Sequence, residues 1–133
     1  MCLSKSNINL EKILINNNIL LTSIIKGIQD VKGEEISVFD LRKIENSVCD
    51  FFVICSGTSS TNVKAIANSV QLETSETANE SPWNSEGKVN AEWVLLDYGG
   101  IVVHIFTKET REYYALEDLW ADAEISVISE LVE

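Results

Sequence analysis

Residues Phe51-Phe52-Val53-Ile54-Cys55 are apolar without interruption and run directly into Ser56-Gly57-Thr58-Ser59-Ser60. So short an apolar run, stopped by a glycine turn, reads as a strand covered on both faces, because a half-exposed strand would alternate. Beyond the turn, Val63, Ile66, Ala67 and Val70 recur at helical spacing and predict a helix that Ser59 or Ser60 caps. Strand, glycine turn and helix in that order point to an α/β (α+β) fold in which helices pack on a sheet and Phe51–Cys55 is central.

The flanking patterns fit that frame. Leu21, Ile24, Ile25, Ile28 and Val31 place one apolar stripe on a first helix that Gly33 terminates, and Ile36–Leu41 reads as a strand. Glu92–Leu96 and Ile101–Phe106 form a hairpin through Asp97-Tyr98-Gly99-Gly100, where glycine permits positive φ. Thr107 caps a last helix with Tyr113, Leu116 and Trp120 on one face, and Tyr113, Tyr114 and Trp120 are expected in core and seam positions. The polar stretch Glu73–Asn90 reads as a helix end plus connecting loop. A chain of 133 residues has room for one core. We expect a tail or leading helix over 1–18, one domain over 19–123 and a C-terminal tail or extra turn over 124–133.

Composition excludes several functions. Ten Lys and Arg against 21 Asp and Glu give a net charge of −11, which disfavours binding nucleic acid by phosphate neutralisation. A basic protein partner suits it better, although acidity also serves simple solubility. Ile19–Ile28 is too short and too polar to cross a bilayer, and Met1–Asn9 lacks a secretory pattern, so a cytoplasmic protein is expected. Cys2, Cys49 and Cys55 have no CxxC spacing and read as reduced core thiols. With a single histidine, His104, neither a zinc site nor any cofactor is implied.

Three candidate sites follow. Ser56, Gly57, Thr58 and Ser59 precede a helix N-terminus and could cradle an anion, but the lysine of a phosphate loop is missing and a turn with a cap explains them better. A nucleotidyltransferase would also need paired carboxylates for magnesium; near this loop the chain offers only Asp50, while Glu92 and Asp97 have opposite parity on their strand. His104 lacks any local signature of a general base, so no catalytic residue is assigned. On the hairpin, Trp93, Leu95, Asp97, Val102, His104 and Phe106 share a face that mixes aromatic, aliphatic and polar groups, whereas Val94 and Leu96 lie on a purely aliphatic one. Two readings stand for the mixed face: a partner surface with aromatic anchors, or a face covered by another helix.

Cys49-Asp50-Phe51-Phe52-Val53-Ile54-Cys55-Ser56-Gly57-Thr58-Ser59 with Ala65-Ile66-Ala67 resembles the signature of the ribosomal silencing factor family, also called Iojap. Glu86-Gly87, Trp93–Gly99, Val103–Phe106, Arg111, Tyr114-Ala115-Leu116-Glu117 and Leu119-Trp120 follow in that family's order, so the resemblance spans about Leu20 to Ala123. It implies a nucleotidyltransferase-like fold without catalytic carboxylates and no enzymatic activity. It also implies binding to large-subunit ribosomal protein fourteen, which blocks small-subunit joining when nutrients are short, and dimers when free of the ribosome. By position, the implied contacts are Trp93, Leu95, Asp97 and Tyr98, with His104 beside them. Large-subunit assembly, and a nucleotide-binding enzyme using Ser56–Ser60, are the alternatives.

Overall fold

The computed structural model describes residues 18–45, 49–120 and 122–128. The expected tail or leading helix over 1–18, apart from Asn18, and Cys2 lie outside them. Helix α1 spans Ile19–Asp30, with the Asn18 side chain accepting from the Leu21 N–H at its start. Its end is a Schellman turn: Gly33 N–H bonds the Ile28 carbonyl and Lys32 N–H that of Gln29. The left-handed residue there is Lys32, with φ 62°, rather than the expected Gly33.

Strands β1 (Glu34–Asp40) and β2 (Phe51–Gly57) follow, then helix α2 (Ser60–Glu73), which is extended by a wider turn over Thr74–Ala78. Next come β3 (Asn84–Glu86), β4 (Trp93–Asp97) and β5 (Ile101–Thr107), then α3 (Lys108–Tyr114), a single turn α4 (Leu116–Leu119) and β6 (Glu124–Ile128). The six strands form one mixed sheet in the order β3-β4-β5-β2-β1-β6, in which only β2 and β5 run parallel. The uninterrupted apolar run is therefore interior, as its composition requires.

Helices α1 and α2 close one face over Val38, Val53, Cys55, Val94, Leu96, Val103 and Ile105, all buried. The glycine between β2 and α2 is sterically required: a Cβ on Gly57 would stand 2.8 Å from Val63 Cγ2 and 3.0 Å from its backbone nitrogen. On the opposite face Phe39, Phe52, Ile54 and Phe106 form a second cluster, over which Leu116, Trp120 and Ala123 pack.

Three expectations are corrected. Residues 124–128 are not tail: they pair antiparallel with β1, Ile128 opposite Ile36 and Ile125 opposite Phe39. The polar stretch after α2 contains β3, whose exposed Asn-Ser-Glu pairs with β4 through backbone alone. The last helix does not run from Thr107 to Trp120. It breaks at Ala115, φ 46°, so that Leu116 and Trp120 pack on the sheet while Tyr113 and Tyr114 turn outward, 82% and 52% exposed, instead of entering the core.

Candidate functional site: a half-open sheet face

Of the two registers open to the hairpin, the structure has the one centred on Gly99-Gly100: Trp93 faces Phe106, Leu95 faces His104 and Asp97 faces Val102. Gly99 takes φ 92° at the turn, and its N–H donates to Asp97 Oδ1 at 2.8 Å. Trp93, Leu95, Asp97 and Val102 are half-buried, whereas His104 and Phe106 on the same face are buried. The covered-face reading thus holds for part of it. The α3–α4 elbow and Trp120 cover its centre, and the β4–β5 flank stays open.

A shallow depression of about 370 Å³ lies on that flank, lined by Phe52, Trp83, Leu95, Asp97, Val102 and His104. Trp83, 81% exposed, stands over Gly99 at its edge and is tied down by its N–H bond to the Asp97 carbonyl. Trp93 is held on several sides. Its ring lies 4.9 Å from Phe106 and 4.8 Å from Tyr114 between centroids, and its indole N–H donates to His104 Nδ1 at 3.1 Å. That bond places the His104 proton on Nε2, which finds no acceptor among the described residues. Burial lowers the His104 pKa from 6.5 to about 4, so the imidazole stays a neutral acceptor for Trp93.

The residues implied by the resemblance therefore separate. Trp93, Leu95 and Asp97 come together on accessible surface. His104, 5% exposed, stands behind Trp93. Tyr98 is on the other face altogether: it is 4% exposed, and its hydroxyl pairs with the Thr74 hydroxyl at 2.9 Å. Strand parity puts it there, one residue past Asp97. Sequence reasoning missed Trp83 and Tyr114 as neighbours of the site, although an aromatic residue in the polar stretch Glu80–Glu86 was a usable signal for the first.

The Ser56–Ser59 loop is engaged in its own structure. Ser59 Oγ accepts from Asn62 N–H as the α2 cap, Asn62 Oδ1 accepts from Thr58 N–H, and buried Ser56 Oγ accepts from Arg111 Nη1 at 2.8 Å. The cations that line a cleft with Ser56, Lys108 and Arg111, are already paired with Glu34 and Glu117. Asp50, expected near this loop, sits at the opposite end of β2, with its N–H on the Gly100 carbonyl. Among the described residues, no cluster of three or more His, Cys, Asp or Glu could hold a metal. Burial pushes the Cys55 and Cys49 thiols up to about 12 and about 11, so neither is a nucleophile at neutral pH. No described helix is long and apolar enough to cross a membrane.

The sequence profile of the family described as "Ribosomal silencing factor during starvation" matches residues 15–133. "Ribosomal silencing factor RsfS" of Halalkalibacterium halodurans is 38% identical over 109 residues, covering 82% of this chain and 92% of that protein. A crystal structure of a protein from Chromobacterium violaceum superposes with a TM-score of 0.72 at 37% identity, over 77% of this chain and 83% of that one. A mouse protein named "Mitochondrial assembly of ribosomal large subunit protein 1" is 38% identical over 73 residues, 53% of this chain and 32% of its own length. With a strand-turn-helix signature, a hairpin and a folded elbow in one sheet, and relatives of this likeness over most of its length, the chain belongs to the ribosomal silencing factor family.

Proposed function

We propose that this protein binds the large ribosomal subunit through large-subunit ribosomal protein fourteen and blocks small-subunit joining by occupying the docking surface, thereby repressing translation in the cytoplasm under nutrient limitation. The observation that carries the reading is Trp93: a half-buried, positionally fixed aromatic on the open β4–β5 flank of the sheet, with Leu95 and Asp97 beside it. A fixed aromatic within a polar rim is the commonest form of an interface hot spot, because little side-chain entropy is lost when it is covered. Tyr98 and His104 act from behind, Tyr98 by anchoring the turn and His104 by holding the indole. The net charge of −11 favours a basic ribosomal partner and makes affinity fall with added salt.

The test is sedimentation of purified large subunits with this protein or its Trp93→Ala variant, followed by addition of small subunits. Wild type should co-sediment and reduce joining. The variant should lose about 2 kcal/mol or more of affinity, roughly thirtyfold. Absence of co-sedimentation by wild type, or equal binding by the variant, overturns the reading. A second reading, large-subunit assembly, has support in the name of the mouse relative. It predicts the same binding with joining unaffected. The nucleotide-enzyme alternative requires an anion to displace the existing partners of Ser56 and Thr58, and nucleotide retention in equilibrium dialysis would revive it.

A further inference from the structure

The elbow beside Trp93 exposes more aromatic surface than the fold uses. Tyr114 lies 4.8 Å from Trp93 and Tyr113 lies 5.0 Å from Tyr114, so three rings form a continuous strip from the half-buried Trp93 to the 82% exposed Tyr113. The strip is rigidly mounted. Arg111 donates from Nε and Nη2 to Glu117 Oε2, and from Nη1 to the Glu35 carbonyl and Ser56 Oγ, which fixes α3 and α4 to the sheet across the left-handed Ala115.

The charge of the elbow is one-sided. Glu109 stands one turn before Tyr113 on α3, and Glu112 and Asp118 line the adjoining cleft with Ser56 and Ala115. All three are exposed and pair with no cation among the described residues, while Lys108 and Arg111 are committed to Glu34 and Glu117. Exposed ring faces beside unpaired carboxylates favour cationic side chains, through the ring quadrupole and through simple charge. An apolar partner segment would instead bury those carboxylates without compensation.

We propose that the partner footprint continues from Trp93 onto the elbow, where the rings of Tyr114 and Tyr113 receive Lys or Arg side chains of the same basic protein partner. This rests on the proposed ribosomal reading. It extends that surface from the sheet onto α3 and assigns a binding role to two tyrosines that the fold leaves outside.

Affinity for purified large subunits is measured by sedimentation titration of the full chain at low and moderate salt. Tyr113→Ala and Tyr114→Ala should each weaken binding about three- to tenfold, with Tyr113→Phe and Tyr114→Phe close to wild type because the ring survives. Tyr113 supplies the decisive variant, since removing an 82% exposed side chain leaves the thermal unfolding transition where it was. The combined Glu109→Gln, Glu112→Gln and Asp118→Asn variant should flatten the salt dependence. If both alanine variants bind like wild type while Trp93→Ala is weakened, the footprint ends at Trp93 and this proposal is overturned, with the ribosomal reading intact. If Tyr113→Ala changes only self-association in sedimentation equilibrium, the strip joins two copies of this chain, which also overturns it. If wild type itself fails to bind, both readings fall together.

Discussion

The two faces of the sheet are made by the same strands at opposite parity, yet they differ in kind. On one, Val53, Cys55, Val94, Leu96, Val103 and Ile105 pack in one apolar cluster with side chains of α1 and α2 and are fully sealed. On the other, Phe52, Ile54, His104 and Phe106 are covered by a short elbow, while Trp93, Leu95, Asp97 and Val102 remain half-open. One complete core suffices to hold a domain of this size, so the second face need not be sealed for the fold to stand. The open flank also tolerates an uncommon feature, a buried imidazole whose Nε2 finds no acceptor among the described residues.

The sharpest way to break this contrast is to truncate one residue on each side and follow urea unfolding. Ile66→Ala, on the sealed face, should cost about 3 kcal/mol through lost burial and a residual cavity. Leu95→Ala should cost about 1 kcal/mol or less, because Leu95 is only half-buried. Equal losses would mean the second face is as much a core as the first.

An effect of similar size is expected from pH. Folded His104 stays neutral down to about pH 4, whereas an unfolded imidazole takes up its proton near 6.5. Between those values the unfolded chain binds more protons, so this contribution is complete above about pH 6.5 and is lost as pH falls toward 4. It amounts to roughly 3 kcal/mol, and comparing unfolding of wild type with His104→Phe over that window isolates it. A slope identical in the two proteins would show that burial does not hold the ring neutral.

The smallest predicted effect concerns how the open face works. If His104 acts only by holding Trp93, His104→Phe should weaken large-subunit binding by about 1 kcal/mol in wild type, the worth of one hydrogen bond, and add nothing in a Trp93→Ala background. Additive losses would mean instead that His104 touches the partner itself.

The hairpin was legible from sequence because its information is local. Alternation assigns each side chain to a face in either two-residue register, while the choice of Gly99-Gly100 over Tyr98-Gly99 as the turn, and with it the pairs Trp93 with Phe106 and Leu95 with His104, came from the structure. Tyr98 shows where position along a motif misleads: it adjoins Asp97 in the chain, but parity sends it through the sheet to Thr74. The elbow was less legible. Tyr113, Leu116 and Trp120 do fall at helical spacing, but a left-handed turn at Ala115 carries no glycine to announce it and is sustained by Arg111 and by packing on Phe52. The edge strands were least legible. β3 has no apolar residue at all, and in β6 the alternation of Ile125 and Val127 with Glu124 and Ser126 was a signal too short to stand without its partner β1.

The sequence by itself therefore determined the strand-turn-helix unit, the hairpin and which side chains share a face, because periods of two and 3.6 residues and the steric demands of turns act between near neighbours. Only the tertiary structure decided which face the two long helices would seal, that the chain end would return as β6, and how far the elbow would reach across the other face. Those outcomes depend on contacts between residues distant in sequence, such as Arg111 with Glu35 and Ser56, whose geometry no local pattern encodes.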